Sequence, residues 1–253
     1  MTQVDEVFED GFFAALYDDF NPWMACDDFY LARAQEAGGP ILDIGCGTGM
    51  LACRIAAAGL DITGADPADG MLQVARNRAR SDKVTWIESD GQSLDLERRF
   101  SLIYMTGHAF QALLTDADAV AVLRNAGRHL KANGRFIFET RNPAARIWER
   151  WTPEQSRRVA NTVRHGRVEE AYGPELSYNP DTGIADLVHV YRLLDKGKQR
   201  VGYSKLRFIT YEHLAHLVAE AGLWLETCYG NWQQEAFQAD SPEIIAVVRR
   251  KPA

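Results

Sequence analysis

Short apolar runs separated by amphipathic stretches fill the middle of the chain. Residues 41–44, 62–65, 84–87, 102–105 and 135–138 each have the length and composition of one buried strand. Between them, residues 50–58, 69–80 and 116–130 carry apolar positions at helical spacing, and Ala132-Asn133-Gly134 follows the last as a helix stop. Strand and helix in alternation predict an α/β fold, with right-handed crossovers stacking helices on both faces of one doubly wound sheet. Upstream, residues 5–37 read as a helical N-terminal cap with an aromatic face, broken near Asn21-Pro22.

After Asn142-Pro143 the rhythm becomes that of an antiparallel meander. Residues 157–164, 167–172, 184–194 and 199–209 are β-rich, and residues 179–183 and 195–197 supply turns. Thr210 then caps a helix running to Gly222, and residues 223–229 and 243–248 form a closing strand pair, for seven strands in the main sheet.

The chemistry concentrates in Asp43-Ile44-Gly45-Cys46-Gly47-Thr48-Gly49, where a strand runs into a glycine turn that opens a helix. Glycines at alternate positions let the backbone turn sharply and approach a ligand more closely than a β-carbon permits. The GxGxG spacing differs from the GxGxxG of dinucleotide sites, which suits a ligand without a pyrophosphate and argues against a nicotinamide oxidoreductase. Asp66 ends the second run, where a carboxylate can accept two hydrogen bonds from ribose hydroxyls. Asp90-Gly91-Gln92 follows the third run and Thr106-Gly107-His108 the fourth, both at the carboxyl edge where open α/β sheets bind ligands.

These residues resemble the class I S-adenosylmethionine-dependent methyltransferases over most of the chain after residue 40. The resemblance implies a doubly wound Rossmann-like seven-stranded sheet with a helical N-terminal cap and an antiparallel β insertion. It divides the chain into a lid (1–38), a cofactor domain (39–145 and 206–253) and an insertion (146–205) that covers substrate or forms a dimer face. It also implies S-adenosylmethionine as cofactor and S-adenosylhomocysteine as product. Gly45, Cys46, Gly47 and Gly49 would line its adenosyl and methionine portions, with Asp43 at the amino end. Asp66 and Pro67 would meet the ribose, and Asp90, Gly91 and Gln92 the adenine, with Thr106 after the fourth strand. Met71 could lid the adenine or simply pack its helix.

Tyr17 matches a tyrosine that small-molecule members place over the methyl end, and Trp23 is a second candidate; either could instead be helix packing. Arg33 could reach the methionine carboxylate or remain solvated. His108 could serve as a general base, contact substrate, or pack beside the cofactor as a neutral group. Arg141 could bind an acidic substrate or form a structural ion pair, and Trp232 could reach the same pocket.

The implied reaction moves a methyl group to a nitrogen or oxygen of a small molecule by in-line displacement, mainly through orientation and water exclusion. The alternatives are a non-methylating use of the cofactor, such as cyclisation or transfer of another group, and a non-catalytic binder. Composition narrows the partners. The 253 residues carry 28 basic and 35 acidic side chains, net charge -7, and no basic tract, so no nucleic-acid partner is expected. No export signal or apolar run long enough for a membrane is visible, which predicts a cytoplasmic protein. Cys26, Cys46, Cys53 and Cys228 lack metal-ligand spacing, so no metal is expected. An exposed face of the meander could support a homodimer.

Overall fold

The computed structural model describes residues 4–251, so the outermost residues of the expected lid (1–3) and of the closing segment (252–253) lie outside the described residues. The N-terminal cap is not one broken helix. It consists of three single turns, α1 (Glu6–Glu9), α2 (Gly11–Ala14) and α3 (Tyr17–Phe20), followed by α4 (Ala25–Ala37). Asp10 forces the first break: its extended backbone ends α1, while its carboxylate accepts the Phe12 N–H at 2.7 Å and starts α2. In α4, Asp27 accepts the Met24 N–H at 2.8 Å, and Gly38 closes the helix at φ +70°.

The main sheet contains β1 (Ile41–Ile44), β2 (Ile62–Asp66), β3 (Val84–Glu88), β4 (Phe100–Met105), β5 (Leu130–Arg141), β11 (Leu223–Tyr229) and β12 (Glu243–Arg250), in spatial order β11-β12-β5-β4-β1-β2-β3. β1 to β5 are mutually parallel, and β12 is antiparallel to both its neighbours. This is the α/β Rossmann-like fold. Chain order reverses between β1 and β4, and that switch leaves a crevice at the carboxyl ends. One face packs under α7 (Asp116–His129) and α9 (Tyr211–Glu220), the other under α4 and α5 (Met50–Ala57). The helix expected over 116–130 stops at His129, and Gly134 is not its cap. Leu130 already begins β5, where the register against β4 slips between Phe100 and Leu102. A β-carbon on Gly134 would lie 2.7 Å from the Phe100 carbonyl oxygen.

The meander forms a second sheet from β6 (Arg158–Thr162), β7 (Gly166–Tyr172), β9 (Ile184–Leu193) and β10 (Lys198–Arg207), with β8 (Ser177–Asn179) paired to β9. The short helix α8 (Pro153–Ser156) precedes it. The N-terminal turns bridge the two sheets. Phe13 and Phe20 pack on Tyr191 of β9 at ring separations of 5.3 and 5.8 Å, while Ala14 packs with Ala68 and Met71 at the start of α6 (Asp69–Arg76).

Gly70 permits that last contact, because a β-carbon there would stand 2.1 Å from the Glu9 carbonyl oxygen. Alanine is worth about 1 kcal/mol to a helix interior, but the clash is with backbone, and overpacking costs about 1–3 kcal/mol. Gly70→Ala is therefore expected to loosen the N-terminal turns without unfolding the sheet. Limited proteolysis before residue 25 should speed up about 10-fold.

Candidate functional site

The glycine turn is held from behind. Gly45 and Cys46 donate their N–H groups to the Ala65 carbonyl at 2.8 and 3.1 Å, so the loop is stitched to the end of β2. Gly45, Gly47 and Gly49 all have positive φ (+74°, +53°, +71°). Their roles nevertheless separate. A β-carbon on Gly47 would meet no atom within 4 Å, and Gly47 borders a cavity of about 280 Å³ at the β1/β4 switch. A β-carbon on Gly49 would lie 2.4 Å from the Trp86 ring, so this glycine serves packing.

The cavity wall gathers Tyr17, Gly45, Gly47, Asp66, Pro67, Met71, Asp90, Gly91, Gln92, Thr106 and His108, residues far apart in the chain. Asp66 is 7% exposed, and its two oxygens accept the N–H groups of Gly47 (2.7 Å) and Ala68 (2.9 Å), which leaves each oxygen a further lone pair. Burial pushes its carboxyl up to about 6 against the pull of those two N–H groups. A carboxyl that holds its proton more tightly when folded stabilises the fold below its unfolded value and loses that contribution as pH rises through its folded value. Between about pH 4 and 7, thermal unfolding of the ligand-free protein should therefore show stability falling as pH rises, and Asp66→Asn should flatten part of the slope.

Asp90 folds the turn after β3 by accepting the N–H groups of Gln92 (3.0 Å) and Ser93 (2.7 Å). Met71 both packs against Ala14 and Ala68 and lines the cavity, so the two readings of it describe one position. Ile44, Met105, Leu113 and Val122 add apolar wall. Tyr17 comes in from the N-terminal cap, and burial pushes its phenol up to about 12, so it stays protonated.

Seven expected residues are seated elsewhere. Strand alternation turns Asp43 to the opposite face from cavity-lining Ile44. There it is 1% exposed, with one oxygen accepting the Tyr104 hydroxyl at 3.1 Å and Oδ1 unpartnered, and burial raises its carboxyl well above the usual range. Cys46 points back toward Gly64, and Gly49 toward Trp86. Arg33 pairs with Glu36 at 2.7 Å and with Gln234. It borders a larger hollow of about 540 Å³ at the amino ends of β4 and β5, the wrong edge for a parallel-sheet site. Trp23 donates to Asp28 at 2.8 Å, and Trp232 packs on Phe29 and Tyr30 at 5.7 and 6.2 Å. Arg141 stands outside the cavity wall. It donates to Gln111 at 2.8 Å and lies 5.4 Å over the Trp151 ring.

Several residues of the site escaped the sequence reading. Asp18 accepts the Thr48 hydroxyl at 2.6 Å and pairs with Arg78, which also donates to the Thr48 carbonyl at 3.0 Å. This ties the N-terminal cap to the glycine turn. Glu139 accepts the His108 N–H at 2.8 Å and the Tyr30 hydroxyl, and Glu243 lies 3.0 Å from the His108 ring. Charged residues at the ends of the apolar runs at 135–138 and 243–248 were the available signal.

The arrangement fits S-adenosylmethionine. It offers a side-chain-free approach at Gly47, carboxylates at the ends of β2 and β3, and apolar walls between them. Among the described residues, no cluster of His, Cys, Asp or Glu could hold a metal ion, and no helix is long and apolar enough to cross a membrane.

Comparison with known proteins agrees. A family model described as a methyltransferase domain matches residues 41–134. The cypemycin N-terminal methyltransferase of Streptomyces sp. is 22% identical over 85% of this chain and 84% of its own. Other curated methyltransferases match over about half their length. Among solved structures, the CcbJ methyltransferase of Streptomyces caelestis superposes with a TM-score of 0.74 at 21% identity, covering 94% of this chain and 96% of that one. SAM-bound CalS10, an amino pentose methyltransferase of Micromonospora echinaspora, gives 0.67 at 18%, covering 97% and 99%. Residues 41–134 thus carry a methyltransferase domain, and the whole chain has the fold of the S-adenosylmethionine-dependent methyltransferases, whose cofactor the cavity fits.

Proposed function

We propose that this enzyme transfers a methyl group to a nitrogen or oxygen of a small molecule held between the cofactor cavity and the second sheet. The observation that carries this reading is the make-up of the cavity, whose wall combines the glycine turn, Asp66 and Asp90 with Tyr17 and His108, and is completed by Leu206 of β10. The cap and the second sheet thus close over the reacting end, which suits a small guest and excludes water. The lack of a basic tract in the sequence and the similarity to an amino pentose methyltransferase and to the cypemycin N-terminal methyltransferase support the same reading.

In this reading Gly45 and Gly47 leave room for the methionine portion, Asp66 accepts the ribose hydroxyls, and Asp90, Gly91 and Gln92 border the adenine. Bound there, the cofactor supplies an electrophilic methyl whose leaving group is a neutral thioether and needs no acid. What the chain adds is orientation: Tyr17, fixed by the Asp18 latch, walls the methyl end with a neutral ring whose face attracts a cation. Arg141, set beyond that end with Gln111 as its side-chain hydrogen-bond partner among the described residues, would meet substrate.

The test is to incubate the protein with S-adenosylmethionine carrying a labelled methyl and a panel of aliphatic amines, amino sugars and phenols, with mass spectrometry of both products. The expected result is a product heavier by one labelled methyl group, formed one-for-one with S-adenosylhomocysteine. Cofactor breakdown without an acceptor, or transfer of any other group, would contradict it.

A further inference from the structure

The polar groups at the carboxyl ends of β5 and β12 are unequally satisfied. Register sets Glu243 opposite Arg141 and Ile245 opposite Glu139, so alternation puts Glu139, Arg141 and Glu243 on one face of the sheet. Glu139 is fully buried with both oxygens engaged: one takes the His108 N–H at 2.8 Å, the other the Tyr30 hydroxyl. Glu243 is not. Its Oε2 lies 3.0 Å from His108 Nε2, its Oε1 has no hydrogen bond among the described residues, and its side chain keeps 15% exposure. Arg141 attracts it across the strand pair, but no Arg141–Glu243 ion pair forms among the described residues, and the guanidinium donates to Gln111 and lies over Trp151.

The position is rigid. Glu243 donates its backbone N–H to the Gly230 carbonyl at 3.1 Å, and the neighbouring Pro242 carbonyl accepts the Asn142 N–H at 3.0 Å. Gly107 and His108 both adopt left-handed backbone, φ +66° and +61°, a conformation costly for histidine and held by the bond to Glu139. His108 lines the cavity, and its Nε2 lies 3.0 Å from Glu243 Oε2, which sets Glu243 next to the cavity wall. Burial, with Arg141 nearby, holds His108 down to about 3, so its link to Glu243 is a hydrogen bond of a neutral ring. Burial pushes Glu243 up to about 7 against the pull of Arg141. Of the two, Glu243 is the group able to take a proton near neutrality.

Resting on the methyltransferase reading above, we propose that the acceptor is a primary or secondary amine that enters as its ammonium, docks on Glu243 Oε1 and gives that carboxylate one proton. Loss of the N–H proton frees the nitrogen lone pair. That pair forms the new N–C bond while the electrons of the broken C–S bond remain on sulfur. The methylated nitrogen keeps a positive charge, and Glu243 releases its proton to solvent. An alcohol is too weak an acid for this carboxylate to deprotonate, and a phenolate would be repelled by Glu139 and Glu243. An aliphatic ammonium, pKa about 10.4 in lysine, is drawn in by both and loses its proton more readily beside a sulfonium.

Sinefungin, which carries a primary ammonium where the sulfonium bears its methyl, probes this without a known substrate. Calorimetry on the full chain would compare it with S-adenosylhomocysteine. The wild-type protein should prefer sinefungin increasingly as pH rises through about 7, as Glu243 ionises beside His108, Arg141 and Glu139. Glu243→Gln should cut that preference about 10-fold and flatten its pH dependence, with S-adenosylhomocysteine affinity unchanged. A wild-type preference that is flat with pH, or one that Glu243→Gln leaves intact, would overturn the proposal; the first needs no variant to fold. Failure of the wild type to bind S-adenosylhomocysteine would instead remove the methyltransferase reading, and the proposal with it.

Discussion

Gly49→Ala should destabilise the protein by about 2–5 kcal/mol and lower its melting temperature by roughly 10 °C, a large effect for so small a change. Two costs add. At φ +71° a β-carbon strains the backbone by about 1–2 kcal/mol. The methyl would also sit 2.4 Å from the Trp86 ring and 3.0 Å from the Ala75 methyl. The indole cannot retreat, because it lies against Gly64, where a β-carbon would be 2.7 Å away, and its N–H is held by the Ser81 carbonyl at 3.1 Å. Gly47→Ala makes the contrast. It meets nothing within 4 Å inside the protein, so only the strain of about 1–2 kcal/mol applies, while its methyl intrudes on the cavity and cofactor binding should suffer more than stability. Thermal unfolding with and without S-adenosylhomocysteine separates the two variants.

Asp66→Ala should abolish the stabilisation of the protein by cofactor. Each hydrogen bond from a ligand hydroxyl to a buried carboxylate contributes about 1.5–3 kcal/mol, so losing two weakens binding by about 3–6 kcal/mol, a factor on the order of 10²–10⁴. The alanine also leaves the N–H groups of Gly47 and Ala68 without their acceptor. Asp66→Asn keeps one acceptor oxygen and removes a charge that burial disfavours, so it should bind with intermediate strength while the ligand-free protein gains stability at mildly alkaline pH. The readout is the melting-temperature rise on adding S-adenosylhomocysteine at fixed concentration. A rise equal to that of the wild type in Asp66→Ala would contradict this role for the carboxylate.

Much of the framework was legible in the chain because parallel strands buried on both faces leave continuous apolar runs, and because glycine turns have few reasons to exist. The runs beginning at residues 41, 62, 84, 102 and 135 all lie within strands of the sheet. Gly134 misled because a glycine after a helix resembles a cap, whereas here the strand starts early and the residue makes room for the Phe100 carbonyl. Of the expected site residues, those next to the glycine turn or at strand ends border the cavity because chain position alone places them at the crevice. Asp43 lies on the face opposite Ile44 and accepts the Tyr104 hydroxyl, a placement that strand alternation dictates and the glycine motif alone does not reveal. Arg33 and Trp232 depended on tertiary packing that helical periodicity does not encode. Glu243 was invisible for a similar reason: its pairing with His108 joins residues 135 apart in sequence, through the register of β12 on β5.

The central claim is that the cavity at the β1/β4 switch is the cofactor site, and titrating the wild-type protein with S-adenosylhomocysteine by calorimetry tests it most directly. The account predicts saturable one-to-one binding in the range of about 1 μM to 1 mM, competed by S-adenosylmethionine. No heat and no competition up to roughly 1 mM would contradict it and leave the glycine turn as a structural element alone.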